Sequence, residues 1–503
     1  MNSSLYIGAS GMKGLSQGMQ VTSNNLANVS TIGYKQQNVL FSDLISQNQA
    51  ANGDWWNAQE DSRVAVGQVG MGLQVEAVRT IFTEGALEST NSMTDLAISG
   101  KGFFQVSDDA GRTYYTRAGD FVTDDEGVWR TPSGLALNGY KIESDGSRGE
   151  LGPVQVDKFG AMAGKATSSV QLSLNFADTA DYSTGEENPY FSLLGQYDAT
   201  AERPLSSGQY STSQQLTLYD ENGNSHKVTA YFDGAPGANG QKFMEFVIGD
   251  DEIAKFDEEG NPLPLEEGDG LLMAGVLEFD SAGNLVNISA FTPSEPGNKD
   301  LANWVTADMQ DGNPAFLLGE NAIAMNFGLS AAGEWANSPG SAASIGADAS
   351  KLPTLGEEAV ASDFPTTAFA SSSMTNSYKQ DGYSEGTISN LAVNSDGRIV
   401  GYFSNGQSMD LWEIPVARFT SEDGLYREGG NLFSATEASG TMELGTAGTE
   451  NYGSIMAYNI ENSNVDMAQE FVNMIMTQRG FQSNSKVVTT ADEVLKKAME
   501  IKR

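Results

Sequence analysis

Apolar residues recur at helical spacing chiefly at the two ends of the chain. Near the N-terminus, Leu5, Met12, Met19 and Leu26 fall seven residues apart, and Gly8, Leu15, Thr22 and Val29 repeat that interval three positions later. This is the two-position seam of a heptad, and it predicts a helix that presents one side to a partner. Gly8, Gly11, Gly14 and Gly18 each weaken an isolated helix by roughly 1 kcal/mol relative to Ala. A solitary helix here is therefore marginal.

At the other end, Val465, Ala468, Val472 and Ile475 are spaced 3, 4, 3, and Val487, Ala491, Val494, Ala498 and Ile501 are spaced 4, 3, 4, 3. A polar stretch from Gln478 to Lys486, interrupted by Phe481, separates the two stripes. Asn464 is the expected N-cap, and Lys496, Lys497, Lys502 and Arg503 sit where they complement a helix C-terminus. Ordering about 25 residues costs on the order of 1 to 2 kcal/mol each. A buried Leu, Val or Met returns only roughly 1.5 to 3 kcal/mol. Both ends are expected to fold only against each other, as a coiled coil, and against neighbouring copies of the chain.

Between the ends the pattern changes to strands and tight turns. Asp109-Ala-Gly111, Asp125-Glu-Gly127, Asp220 to Gly223, Asp280 to Gly283, Asn394 to Gly397 and Asn405-Gly406 carry the residues that hairpin turns require. Gln215 to Tyr219 and Lys227 to Phe232 alternate or are β-branched, as strands should be. With 56 Gly and 14 Pro in 503 residues, the fold class is mixed and mainly β, and the length suits about three domains.

Charge separates the ends from the middle. Residues 1–42 hold Lys13 and Lys35 and no acid, giving +2, and residues 461–503 hold six acids and six bases, giving zero, so the middle carries −40 against a total of −38. Such a surface disfavours nucleic acid and anionic membranes. Charge-poor ends suit packing of identical copies, where repeated like charge would repel.

Little chemistry survives inspection. With no Cys and one His, disulfides and thiolate or histidine-rich metal sites are excluded, and a nucleophile-histidine pair would rest on His226. Asp220, Asn222 and Asn224 fit positions 1, 3 and 5 of a calcium loop, but Gly223 and Tyr231 stand where Gly at 6 and Glu at 12 are required. Gly67 to Gly72 has the wrong spacing for a dinucleotide loop and is read as backbone flexibility. Acid runs such as Asp250-Asp251-Glu252 and Glu258-Glu259 are read as solvated faces, and Trp55-Trp56 as packing at a domain junction. No catalytic, metal or cofactor site is expected. No apolar run is long enough to span a membrane, and the first ten residues lack the basic and apolar regions of a cleaved signal peptide.

Thr22 to Lys35, with Asn24, Asn25, Asn28, Gly33 and Tyr34, resembles the N-terminal signature of the flagellar rod, hook and hook-associated axial proteins. Ser463 to Gln482, with Asn464, Val465, Gln478 and Arg479, and then Thr489 to Leu495, resembles the matching C-terminal signature. Asp95 to Phe104, Tyr115 to Phe121, Asp381 to Thr387, Tyr402 to Gln407 and Gly430 to Phe433 are similar to an inner β domain that hook proteins build from both halves of the chain. Phe41 followed by Ile45 resembles the family's export motif.

The resemblance implies a terminal helical assembly domain at 1–33 and 460–503 and a connecting segment at 34–75. It further implies an inner β domain at 76–147 and 371–459, and inserted outer β structure at 148–370, with room for two subdomains. A Ser/Ala/Gly-rich insertion or linker is expected at 330–368. The implied function is helical polymerisation into a flexible extracellular tube that transmits torque, after type III export without a cleaved signal peptide. Implied partners are the chain itself, rod and hook-filament junction proteins, the hook cap and the export apparatus, without nucleic acid or membrane insertion. A distal rod or junction protein is the alternative within the family. A secreted acidic carbohydrate-active enzyme or binding module is the alternative outside it.

Overall fold

The computed structural model describes residues 2–44, 70–143, 145–157, 160–177, 187–237, 240–256, 261–356, 359–449 and 451–501. The chain divides into two compact units, one built from Met1–Gly160 and Ile388–Arg503, the other from Ala161–Thr387.

The first unit contains helix α1 (Asn2–Ala27), strands β1 (Gln37–Asp43) and β2 (Leu73–Thr80), and a 35-residue helix at Met467–Ile501. Its main sheet interleaves the two halves of the chain. Ser408–Glu413 pairs with Ala136–Ile142 through Trp412 and Lys141, and Leu432–Ser434 pairs with Thr113–Thr116 through Phe433 and Tyr115. Leu96, Ile98, Phe104, Trp129 and Leu137 from the early half pack with Ile399, Ile414, Val416 and Ile455 from the late half. Neither half can bury its apolar face alone.

In the second unit, six antiparallel strands from Thr212–Tyr219 to Trp304–Thr306 follow one another as a meander. A second sheet of five strands places Ser169–Asn175 parallel to Asn321–Asn326 and antiparallel to Met374–Gln380. The six-stranded sheet is buried on both faces. Val228, Phe232, Phe246 and Phe279 join Leu172 and Phe327 on one face, while Tyr231, Val247, Phe291 and Trp304 join Phe191, Leu194, Ile345 and Leu352 on the other. The short helix α2 (Ser192–Gln196) belongs to that second cover.

All six turns expected from Gly-containing tetrapeptides connect paired strands, with Gly111, Gly127, Gly223, Gly283, Gly397 and Gly406 at φ between +77° and +93°. Two boundaries differ from expectation. Arg148–Pro153 pairs with Ala136–Ile142 and so stays in the first unit, and Met374–Gln380 pairs with Ser169–Asn175 and so joins the second. The stretch 330–368 is not a linker: Ala342, Ile345, Leu352, Leu355 and Ala368 are buried, and the Trp335 indole donates to the Ala307 carbonyl at 2.7 Å. Small residues there fit closely against the sheet.

Asp381, in one of the signature stretches, closes the second unit. Its carboxylate accepts the backbone N–H groups of Ser168 (2.8 Å) and Ser169 (2.9 Å), the Ser168 hydroxyl (2.8 Å) and the Lys165 ammonium (3.0 Å). Burial pushes its pKa up, but these donors outweigh that and hold it at about 2. A depressed carboxylate stabilises the fold above its unfolded pKa and loses that contribution as pH falls toward the folded value. Asp381→Asn should lower stability at neutral pH by about 1 to 3 kcal/mol. The gap should close between about pH 4 and about pH 2, measured by urea melts followed through tryptophan fluorescence.

Candidate functional site

The site is where the two ends of the chain meet. Helix α3 (Met467–Ile501) runs antiparallel along α1, with Gly8 opposite Val488, Gly11 opposite Asn484 and Gly18 near Thr477. The glycines expected to weaken α1 are what permit this approach. A Cβ on Gly8 would lie 2.8 Å from Val488, and one on Gly11 2.9 Å from the Asn484 side chain. The other side of α1 carries the β1–β2 hairpin, where a Cβ on Gly14 would lie 2.1 Å from Leu73. Gly72, expected as a flexible point, instead lets the chain pass over Ile7 and Ser10.

Polar groups lock the end of this helix pair. Asn25, 1% exposed, acts like a strand neighbour to Gln37, accepting from its N–H (3.0 Å) and donating to its carbonyl (2.7 Å). The Tyr34 hydroxyl donates to Asn25 (3.1 Å) and accepts from Asn24 (3.1 Å), and Arg427 stacks 4.7 Å above the Tyr34 ring. Asn28 caps the carbonyl of Asn24, and Gly33 turns at φ +66° where a side chain would strike Ala118. Asn464 accepts from the Gln36 N–H (2.7 Å) and donates to the carbonyls of Ile81 (2.8 Å) and Thr83 (3.0 Å). It is a clamp between segments rather than the expected N-cap. Asp466, two residues on, caps α3 by accepting from Ala468 (2.8 Å) and Gln469 (3.2 Å).

Beneath this clamp lies a buried ionic cluster that the sequence reading missed. Glu461, 0% exposed, accepts Lys35 on one oxygen together with the Gly85 N–H (2.9 Å), and Arg117 on the other (3.2 Å). Its carbonyl accepts the Gly33 N–H at 2.7 Å. Lys35 also donates to the Thr83 carbonyl, and Arg117 to those of Ile98 and Gly100. Burial pushes the Lys35 ammonium below its ordinary pKa; Glu461 opposes the shift and Arg117 reinforces it. One signal was available, since Lys35 is one of two charges in the first 42 residues and stands inside the signature.

The expected seam has the right period; on α3 its first stripe is out of phase with α1, whereas Val487 and Ala491 of the second lie beside Gly8 and Ser4. Leu5, Met12, Leu15, Met19, Leu26 and Val29 are half-buried beside the glycines. Val465 is buried and Ala491 half-buried, but Ala468, Val472, Ile475, Val487, Val494, Ala498 and Ile501 are exposed. The face that α3 turns toward α1 carries Glu470, Asn473, Thr477, Gly480, Asn484 and Val488, mostly small or polar. Gln478 and Arg479 are also exposed. The terminal helices pair with each other within the single chain, through polar pins at Asn25 and Glu470 together with close contacts such as Gly8 with Val488 and Leu15 with Gly480. Phe41 packs over Gly14 and Gly18, while Ile45 and Trp55-Trp56 lie outside the described residues.

In the second unit, the Asp220 carboxylate is taken up by its own hairpin turn, accepting from Asn222 and Asn224, and His226 lies 3.6 Å from it. No group of three or more metal-ligating side chains forms among the described residues. Among them also, no helix is long and apolar enough to cross a membrane.

Comparison with known proteins adds the following. Residues 5–35 match the family model described as "Flagella basal body rod protein", and 97–173 "Flagellar hook protein FlgE/F/G D1 domain". Residues 193–383 match "Flagellar basal body protein FlaE D2 domain", and 456–501 "Flagellar basal body rod FlgEFG protein C-terminal". The chain is 30% identical to the flagellar hook protein FlgE of Treponema pallidum (strain Nichols), over 100% of both chains. It is 29% identical to that of Borreliella burgdorferi, over 100% of both. With that of Escherichia coli (strain K12) it shares 27% over 97% of this chain and 96% of the other. Among solved structures, one titled "Crystal structure of Helicobacter pylori flagellar hook protein FlgE2" aligns at 13% identity with a TM-score of 0.46, covering 75% of this chain and 100% of that one.

Glu461→Gln should leave two buried cations facing a neutral side chain, which costs about 3 to 5 kcal/mol. Hydrogen exchange by mass spectrometry should show faster exchange at Leu96–Ser99 and Asn459–Glu461 and unchanged protection in Ser225–Ala235.

Proposed function

This chain belongs to the flagellar hook protein family and is a structural subunit of the hook, not an enzyme, and we propose that it polymerises by burying the outward face of α3, with the flank of α1, against neighbouring copies. The observation that carries this reading is exposure: Val472 49%, Ile475 50%, Met476 67%, Val487 46%, Val494 51%, Met499 65% and Ile501 85%. Side chains already half out of water return roughly 1 kcal/mol each when covered, so covering several of them supplies several kcal/mol per contact. A repeated head-to-tail contact that does not close by rotation yields an open helical tube.

The tube joins rod to filament and passes torque between them. Rod and hook-filament junction proteins meet its two ends, and the hook cap and type III export apparatus serve its growth. Residues 1–33 and 460–503 form the assembly domain, and the second unit is strongly acidic. Its acidic surface makes small, hydrated contacts that slide as the tube bends. Phe41 serves in the unfolded chain as an export signal, so Phe41→Ala should reduce secretion measured by immunoblot of culture medium, and normal secretion would reject that role.

Replacing Ile475 and Met476 by Asp should leave the subunit's melting within about 0.5 kcal/mol of the parent, because both side chains are exposed. Tubes should disappear from negative-stain micrographs. Removal of residues 1–42 should do the same, and tubes of normal abundance in either case would sink the reading.

A further inference from the structure

We propose that Glu470 sets the axial register of α3 on α1, and thereby the height at which the outward apolar face is presented. Glu470 is 2% exposed in the first turn of α3, inside the helix pair. One of its carboxylate oxygens accepts the Asn25 amide at 3.1 Å and the Gln36 amide at 2.5 Å. Both donors are themselves fixed from outside the pair. Asn25 is held on both sides by the backbone of Gln37 and by the Tyr34 hydroxyl, and the Gln36 carbonyl accepts the Ile81 N–H at 2.8 Å.

The remainder of the seam does not discriminate registers. Gly8 faces Val488, Gly11 faces Asn484, Gly18 lies near Thr477, and Gly480 faces Leu15. A slide of α3 by one helical turn, about 5.4 Å, would replace Asn484 by Gly480 or Val488 opposite Gly11, again a residue of small or moderate size. Glycine faces have little relief to resist such a slide. Glu470 does resist it, because a displaced carboxylate leaves both amides behind while staying in the helix contact. A buried polar residue in an otherwise permissive helix seam selects one register at some cost in stability. This inference concerns a single chain and stands apart from the assembly reading: the helix pair could be in register and never polymerise.

The chain has no cysteine, so paired cysteines report the register directly. In the purified full-length chain, Gly11→Cys with Asn484→Cys reads the register described above. Gly11→Cys with Gly480→Cys, plus Asn484→Ala to make room, reads the register one turn away. Initial rates of disulfide formation under a mild oxidant, followed by mass spectrometry, should favour the first pair by at least roughly tenfold in the parent. Adding Glu470→Met, or independently Asn25→Leu, should bring the ratio toward one while cross-linking continues. Retention of the full preference in both variants would overturn the proposal. So would equal rates in the parent, or loss of all cross-linking in parent or variants, since the small-residue faces are required to keep the helices together without the carboxylate.

Discussion

The first unit depends on one carboxylate in the protein interior. Glu461 pairs with both Lys35 and Arg117, all three almost fully buried, and in doing so joins the segment that leaves α1, the chain at Gly85 and the strand ending at Thr116 to the strand that leads into α3. Taking three charges out of water costs several kcal/mol each before any attraction is counted. Such a cluster contributes little net stability compared with an apolar core of the same volume. Its effect is on specificity: an arrangement that separates Glu461 from either cation leaves a bare charge in a medium that cannot solvate it. The junction between helices and sheet is thereby restricted to one geometry.

The helix pair follows from that restriction. Most soluble helix pairs bury their apolar stripes and wet their polar ones, whereas here α3 turns Asn473, Thr477 and Asn484 toward α1 and Val472 and Ile475 toward water. Close glycine contacts and a few amide hydrogen bonds replace hydrophobic burial within the pair. That leaves the larger driving force unspent in the single chain and available for contacts with other copies. An exposed face of this kind is ordinarily an aggregation hazard. Anchoring it to a rigid junction converts unspecific adhesion into a contact with defined height and direction.

Much of this was legible in the sequence, and the failures have a common cause. The heptad spacing revealed both helices, and the Gly-bearing turns revealed the hairpins, because helix period and positive φ are local properties. The phase of α3 was not legible: a period says which residues share a face, but not whether that face meets its own chain or another. Lys35 and Glu461 stand 426 residues apart, and nothing local marks one as the partner of the other. Asn464 was assigned to the cap because amide side chains cap helices, yet Asp466 does so and frees Asn464 to bridge the backbone of Gln36 to those of Ile81 and Thr83. The stretch 330–368 was misread on composition. Small residues signal a linker when they face water and a close fit when they face a sheet, and composition cannot tell the two apart.

The second unit shows why that last distinction matters mechanically. Its six-stranded sheet has aromatic residues on both faces, and the covering segments, including Tyr190 to Tyr197 and Ala342 to Leu352, are too short to form sheets of their own. They are held by burial of Phe191, Leu194, Ile345 and Leu352 and by side chain to backbone bonds such as that from Trp304 to the Asn298 carbonyl. A sheet covered on both faces resists bending out of plane, because either direction must open a packed core. Stiff units of this kind fit the proposed assembly, in which bending is taken up at contacts between copies rather than by deformation within them. Close packing on both faces of a sheet thus makes stiffness a property of the unit itself, and leaves the proposed sliding to surfaces that are solvated and alike in charge.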